Sequence, residues 1–292
     1  MSKKIKKIKK AILPVGGLGT RFLPATKTIP KEMLPVLDKP LVQYAVEEAL
    51  EAGIEEFIFI TGRGKSAIED YFDHSIELEK NLNEQNKNKI LSYIQNMILK
   101  PGSVSFVRQQ NPLGLGHAIW CARNFIGNEP VAVLLADDLI DANPGCMKQM
   151  IQNWDGGNMV ATTYVKNQET SSYGIISPGN KIGNKIEVKE IIEKPNQDKA
   201  PSNIAVVGRY IIEPEVFNHL SLKKKGANNE IQLTDSLSFQ IGKAPFFAYN
   251  FDGTRYDCGT KLGFTQANTN FALNDPIIGR EYKNWLKSLL KS

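Results

Sequence analysis

Two cations beside a cluster of glycines are the first residues in this chain whose spacing could do chemistry. In Lys10-Ala11-Ile12-Leu13-Pro14-Val15-Gly16-Gly17-Leu18-Gly19-Thr20-Arg21-Phe22-Leu23-Pro24-Ala25-Thr26-Lys27, an apolar run feeds a turn with three glycines in four positions, followed by Arg21 and Lys27. Glycines admit positive φ and close approach of backbone to a ligand. Consecutive N–H groups can then converge on phosphate oxygens while the two side chains add charge. The turn fits neither common nucleotide pattern: GxGxxG requires glycine where Phe22 stands, and GxxxxGK[ST] requires lysine after Gly19. The chemistry in prospect is phosphate binding, with the kind of phosphate left open.

Carboxylates and amides supply the next candidates. Asp137-Asp138 ends the apolar run Val131 to Ala136, and acidic residues at the carboxyl end of a buried strand sit where open α/β sheets bind ligands. Inside the sheet an unpaired carboxylate would be costly, and one of the two could instead cap a helix. Asp257 follows a second apolar strand, Phe246 to Phe251, and could cap a helix beginning near Lys261, a role compatible with metal ligation. In Gln109 to Ala118 an amide stands beside glycine backbone, which suits a nucleobase edge and suits an ordinary capped turn equally well. His117 reads as a structural helix-start residue. Glu193-Lys194 could accept bonds from neighbouring hydroxyls and neutralise a phosphate, or could be a solvated pair. Gly62-Arg63-Gly64-Lys65-Ser66 imitates the end of a P-loop, but the required earlier glycine would fall at Phe59, so it reads as a turn opening a helix.

Positioning these residues requires alternating strands and helices. The first strand and its loop precede a helix from Leu41 to Ala52, then strands Glu55 to Thr61 and Val104 to Arg108 flank helical residues 74–100. Further strands are expected at Val131 to Ala136, Met159 to Val165, Ala205 to Tyr210 and Phe246 to Phe251. Pro24, Pro30 and Pro35 bar a regular helix between the glycine turn and Leu41, and an ordered loop of that length usually serves a ligand. Residues 276–292 carry Ile278, Tyr282, Trp285, Leu286, Leu289 and Leu290 on one helical stripe, packing on the same domain or on another subunit.

Composition narrows the function classes. Of 36 basic residues, six are lysines in the first ten positions; the remaining 30 face 31 acidic side chains. The formal charge of +5 therefore describes a near-neutral chain behind a lysine-rich start and argues against nucleic-acid binding; a basic tail, 1–9, a domain, 10–275, and a C-terminal helix, 276–292, are expected. The apolar run after the tail breaks at Gly16, too soon for a signal peptide, and no stretch approaches the ~20 residues of a membrane span. Three separated cysteines without a CxxC indicate neither a disulfide framework nor zinc, so a reducing cytoplasm is expected.

The stretch Leu13 to Lys27, together with Pro30-Lys31-Glu32-Met33-Leu34-Pro35-Val36, resembles the opening motif of the sugar-1-phosphate nucleotidyltransferases, in particular the bacterial branch that uridylylates glucose 1-phosphate. The similarity runs through nearly all of the chain after the first ten residues. It implies a Rossmann-like three-layer αβα sandwich with a mostly parallel central sheet, and UTP, glucose 1-phosphate and Mg²⁺ as ligands. It further implies that Gly16, Gly17 and Glu32 bind the nucleotide, that Gln109 and Gly114 contact uracil, and that Arg21 and Lys27 handle the triphosphate. Gly174, Glu193 and Val206 would line the sugar, Lys194 would meet its phosphate, and Asp137 and Asp257 would hold the metal. Neither a membrane nor a nucleic-acid partner is expected from the charge and apolar pattern above, and a homo-oligomer, dimer or tetramer, is expected. Two rivals share the fold: a thymidylyltransferase making dTDP-glucose, and a silent paralogue regulating an active partner.

The implied reaction needs no general base. A phosphomonoester loses its second proton near pH ~6, so its oxygen is ready to attack at neutral pH, and the obstacle is repulsion between anions. Fixed cations lower that barrier by neutralisation and in-line alignment.

Overall fold

A computed structural model describes residues 7–291. Its strands in chain order are β1 (Lys10–Pro14), β2 (Pro35–Val36), β3 (Lys39–Pro40), β4 (Glu56–Thr61), β5 (Val104–Arg108), β6 (Val131–Leu134), β7 (Asp138–Asp141), β8 (Asn158–Tyr164), β9 (Gly174–Ile182), β10 (Lys185–Glu193), β11 (Ile204–Ile212), β12 (Phe246–Asn250) and β13 (Thr254–Asp257). Nine of them form one sheet in the order β5-β4-β1-β6-β11-β8-β12-β10-β9. The pairings make β11 and β10 run against the other seven, so the sheet is mostly parallel in strand direction.

Alternation along each strand divides the core in two. Ala11 and Leu13 face one layer with Phe57, Phe59, Ala132 and Leu134, whereas Ile12 faces the other with Ile58, Ile60, Val131 and Val133. The first layer is closed by the helix Leu41–Glu51, whose Val42, Ala45, Val46 and Ala49 recur at helical spacing, and by Cys146–Gln152. The second is closed by Leu115–Cys121, Glu215–Leu220 and Leu233–Ser238 through Ile119, Phe217, Leu220 and Leu237. The result is the expected α/β sandwich.

Three features of this frame place the site. The neighbours β1 and β6 are in parallel register, Ala11 opposite Ala132, so the glycine loop after β1 and Asp137 after β6 emerge at the same carboxyl end of the strands. Outside the sheet, β7 and β13 pair antiparallel with Asp138 opposite Asp257, which carries Asp257 to the same place. The hairpin of β9 and β10 sets Glu193 opposite Gly174. That hairpin was not foreseen from the sequence, because Gly179 and Asn180 interrupt the apolar alternation in the middle of β9.

At the chain ends, Ile8 is already buried against the first core layer and Lys9 pairs with Glu55 at 2.8 Å; the rest of the basic tail, residues 1–6, lies outside the described residues. The final helix spans Gly279–Leu289, shorter than the stripe suggested, and contacts the helix Lys261–Asn274 while leaving Trp285 half exposed.

Candidate active site

Behind the glycine loop the chain is irregular but tightly fixed. Val15 N–H bonds to the Ile60 carbonyl at 2.9 Å, and Gly19 takes a left-handed conformation at φ 64° with its carbonyl accepting from Thr26 Oγ1 at 2.7 Å. Three short 3-10 turns follow, separated by the prolines, and Phe22 packs edge-on against Phe264 of the Lys261–Asn274 helix. A long loop is thereby anchored to both ends of the molecule's chain, as a site needing fixed cations demands.

Asp137 and Asp257 converge. A Cβ built on Gly259 would lie 3.1 Å from Asp137 Oδ2, 3.0 Å from Asp257 Oδ1 and 3.6 Å from Arg21 Nη1. Arg21 Nη1 also donates to the Gly259 carbonyl at 3.3 Å. Glycine therefore leaves open a space bordered by two carboxylates and a guanidinium. Burial by itself would raise the pKa of Asp137, but Lys31, whose Nζ lies 2.5 Å from Oδ2, overcomes it and holds the carboxyl below its ordinary range. Lys31 is held protonated in turn: burial works against its charge, and Asp137 and Glu32 outweigh that burial.

Those two carboxylates fit a hard divalent cation. No cluster of three or more His, Cys, Asp or Glu side chains suited to a metal occurs among the described residues. Two oxygens on a space kept open by glycine nonetheless suit Mg²⁺, which commonly takes one or two carboxylates and completes its shell with water and substrate phosphate. Asp138 is spent elsewhere: buried, it accepts from the Gly208 amide at 2.7 Å and from Arg255 Nε at 2.5 Å. Cys258, beside Asp257, is no nucleophile, since burial and then the neighbouring carboxylates push its thiol up to about 12.

On one side of the carboxylates lies a cavity of about 200 Å³, lined by Asp137, Asp257, Tyr173, Gly174, Glu193, Lys194, Val206 and Thr234 among others. Thr234 Oγ1 donates to Glu193 Oε2 at 2.7 Å, and Lys194 Nζ stands 3.4 Å from Glu193 Oε1. Lys194 adopts φ 46°, unusual for a side-chain-bearing residue, with its N–H bonded to the Tyr173 carbonyl at 3.0 Å. The three sugar-side candidates and Lys194 thus share one cavity with both metal candidates.

A second cavity, of about 290 Å³, is lined by Gly16, Gly17, Lys27, Lys65 and Gln109 among others. Gln109 Nε2 bonds to the Gly114 carbonyl at 3.2 Å and approaches His117 Nδ1 at 3.0 Å. Gly114 is packed against Ile231, and Ile231 N–H reaches the Leu113 carbonyl at 2.7 Å while its carbonyl accepts from Gly116. The amide-bearing loop is clipped by those bonds to the segment that carries Thr234. His117 is buried beside Trp120, and burial, followed by Lys223 and Arg123, depresses its pKa, in keeping with a structural role.

Three residues that sequence patterns left without a site role, Lys31, Lys65 and Arg255, make charge contacts here. Lys31, which carried no assignment, is the lysine that reaches Asp137; Lys27 faces the second cavity instead. Glu32 is buried beneath Gly17 and pairs with Lys65 at 2.8 Å, its Oε1 without a hydrogen-bond partner among the described residues. Lys65 does precede a helix, Ser66–Tyr71, as the turn reading expects, yet it is almost wholly buried. Arg255, bonded to Asp138 and to Tyr173 Oη at 3.2 Å, was also unmarked. The spacing Pro30-Lys31 within an ordered loop was the available signal for Lys31; for Lys65 and Arg255 the pairing depends on distant strands.

A mostly parallel α/β sheet with a glycine-loop cavity, a second cavity bordered by Asp137, Asp257, Glu193 and Lys194, and Lys31 linking Gly17 of the first to Asp137 of the second fits a phosphate-transferring enzyme acting on two ligands. The chain belongs to the nucleotidyl transferase family, whose model matches residues 10–273. It is 50% identical over 287 residues to the UTP–glucose-1-phosphate uridylyltransferase of Staphylococcus haemolyticus, covering 98% of this chain and 99% of that one. It resembles a solved UDP-glucose pyrophosphorylase complexed with UDP-glucose, with a TM-score of 0.83 and 48% identity, over 91% of this chain and 98% of that one. A UTP-bound UGPase from Acinetobacter baumannii aligns with a TM-score of 0.89 and 39% identity, over 97% of this chain and all of its own.

Proposed function

We propose that the chain transfers the uridylyl group of UTP to glucose 1-phosphate, giving UDP-glucose and pyrophosphate. The observation that carries this reading is the junction of the two cavities: Asp137 lines the one holding Glu193 and Lys194, and its partner Lys31 runs beneath Gly17, which lines the other. The names of the relatives support the choice of substrates.

In this reading the base lies against Gln109 and Gly114, and the triphosphate lies along the backbone of Gly16 and Gly17 with Arg21 and Lys27 opposite its charge. Glu193, held by Thr234, accepts sugar hydroxyls, and Lys194 pairs with the sugar phosphate. A phosphate oxygen of glucose 1-phosphate forms the new bond to the α-phosphorus, the bond from that phosphorus to the β-phosphate bridge breaks, and pyrophosphate leaves with the electron pair. No proton need be removed, because the nucleophile is already ionised. Asp137 and Asp257 would hold Mg²⁺, which when bound would supply charge neutralisation at the reacting phosphates. Lys31, paired with Asp137, sits between that carboxylate and the glycine loop.

Steady-state assay of UTP and dTTP against glucose 1-phosphate, with magnesium or a chelator, tests this. Turnover with UTP exceeding dTTP, abolished by chelation, is expected; preference for dTTP identifies the thymidylyltransferase, and a folded protein that binds UTP without turnover identifies the silent paralogue. Retention of Arg21, Lys27, Asp137, Lys194 and Asp257 argues against that last case. No helix among the described residues is long and apolar enough to cross a membrane. With unpaired cysteines, that supports a cytoplasmic enzyme. The half-exposed Trp285 supports a homo-oligomer built through the helix Gly279–Leu289; Trp285→Glu would disrupt it, and light scattering would read the change in mass.

A further inference from the structure

Lys31 stands where one ammonium can serve either of two charges. Its Nζ is 2.5 Å from Asp137 Oδ2 and 3.6 Å from the point where a side chain on Gly17 would begin. Its Cε passes 3.2 Å from that same point, so the stem runs directly beneath the glycine loop. Asp137 is also one of the two carboxylates on the open space at Gly259. An ammonium and a divalent cation cannot sit together on one carboxylate oxygen without strong repulsion in a partly buried site.

We infer that Lys31 is a built-in competitor for the metal: in the nucleotide-free protein it occupies Asp137, and a phosphate on the glycine loop draws it away and frees the carboxylate. The inference rests on the reading above, in which the loop takes the triphosphate and Asp137 the metal. Lysine suits the task, since its charge is a compact point on a flexible four-carbon stem that turns between partners. Free protein then binds divalent metal weakly, and metal and UTP strengthen each other. By linkage the metal raises UTP affinity by the same factor that UTP raises metal affinity.

A fixed neutralising role for Lys31 makes a different forecast. Were it to stay on Asp137 throughout, its removal would strengthen metal binding equally with and without nucleotide. Exchange between partners confines the gain to the nucleotide-free protein, and the coupling shrinks.

The test uses the full chain without sugar phosphate, so that no turnover occurs. Mn²⁺ binding to the nucleotide-free protein is read from the electron paramagnetic resonance signal of the free ion. UTP affinity is read by calorimetry in a chelator and in saturating Mg²⁺. Lys31→Met keeps the stem and removes the charge; Lys31→Gln is the second variant, and circular dichroism selects folded protein. Lys31→Met should bind Mn²⁺ about fivefold or more tightly than wild type, and the enhancement of UTP affinity by Mg²⁺ should fall by about the same factor. Affinity of UTP for the metal itself enters both proteins alike and cancels in that comparison. Equal Mn²⁺ affinity in the two proteins, including no binding by either, overturns the inference. Unchanged coupling overturns it in favour of a fixed neutraliser. Equal tightening by Lys27→Met, at a lysine that lines the glycine-loop cavity, overturns it in favour of net charge. If wild type binds no UTP, the proposed function fails while the Mn²⁺ comparison still decides whether Lys31 shields Asp137.

Discussion

Asp137 and Asp257 meet across Gly259: one carboxylate arrives from the end of β6, the other from the end of β13, and a methyl group on Gly259 would lie within 3.1 Å of an oxygen of each. The space between them exists because that residue has no side chain. Its φ lies outside the left-handed region, so alanine is tolerated by the backbone and tests the space alone. Gly259→Ala should lower magnesium-dependent turnover by on the order of tenfold to a hundredfold, the cost of displacing reactive groups by about an ångström. Thermal melting should move little. Full activity at limiting magnesium would mean that the two carboxylates do not share a ligand.

Replacing either carboxylate by its amide removes charge while keeping shape. Asn at 257 can still accept the Gly259 amide, which lies 3.0 Å from Oδ1, and Lys31 still has Glu32 nearby when Asp137 is replaced. Turnover of Asp137→Asn and Asp257→Asn should drop by roughly 10²-fold or more, with higher magnesium needed for half-maximal rate. A magnesium titration of each folded variant reads this. Wild-type rates at low magnesium would leave Arg21, Lys27 and Lys194 to carry the reaction alone.

The Lys31–Asp137 pair also sets a pH window for stability. Lys31 holds the folded pKa of Asp137 below its unfolded value, so the stabilisation is present above roughly pH 4 and is lost as pH falls through the folded pKa. The folded pKa of Lys31 is raised, so its share is present below roughly pH 10 and is lost as pH rises through that value. Urea unfolding of wild type and Lys31→Met between pH 2 and 7 should show a shallower acid decline in the variant. Parallel curves would show that the pair contributes no linked stability.

Sugar recognition should be separable from nucleotide recognition. Glu193→Gln keeps an oxygen that can accept from Thr234 but loses the charge, and should raise the KM for glucose 1-phosphate while sparing UTP affinity. Thr234→Val removes the 2.7 Å donor to Glu193 and should act in the same direction more weakly, with Thr234→Ser restoring the wild-type value. A fall in UTP affinity for either variant would break the division between the two cavities.

The basic tail should not matter for turnover, whereas the residue that follows it should matter for folding. Deleting Ser2 to Lys7 leaves Ile8 in place against the first core layer, and kcat should stay within about twofold. Ile8→Ala creates a cavity under β1 and should cost about 2 kcal/mol or more of stability in urea unfolding. A large loss of turnover in the folded truncation would assign the tail to the site.

What the sequence determined by itself was whatever depends on local order. Alternation in Ala11-Ile12-Leu13 and in Val131-Ala132-Val133-Leu134 dictated strands buried on both faces, because one chain neighbour must point up when the next points down. Glycines at 16, 17 and 19 and the prolines after them dictated an irregular loop, because they remove side chains and N–H donors at known positions. Asp137 was legible because it ends such a strand. The tertiary structure alone decided which charge meets which. Lys27 and Lys31 lie four residues apart in the same loop and look alike as a string, but β1 pairs beside β6, so Lys31 reaches Asp137 and Lys27 turns to the other cavity. Arg255 meets Asp138, and Lys65 meets Glu32, only once β13 has paired with β7 and the turn after β4 has packed beneath the glycine loop. A carboxylate or ammonium is indifferent to its partner's sequence position. Its energy depends on distance and burial, and both are set when the strands assemble.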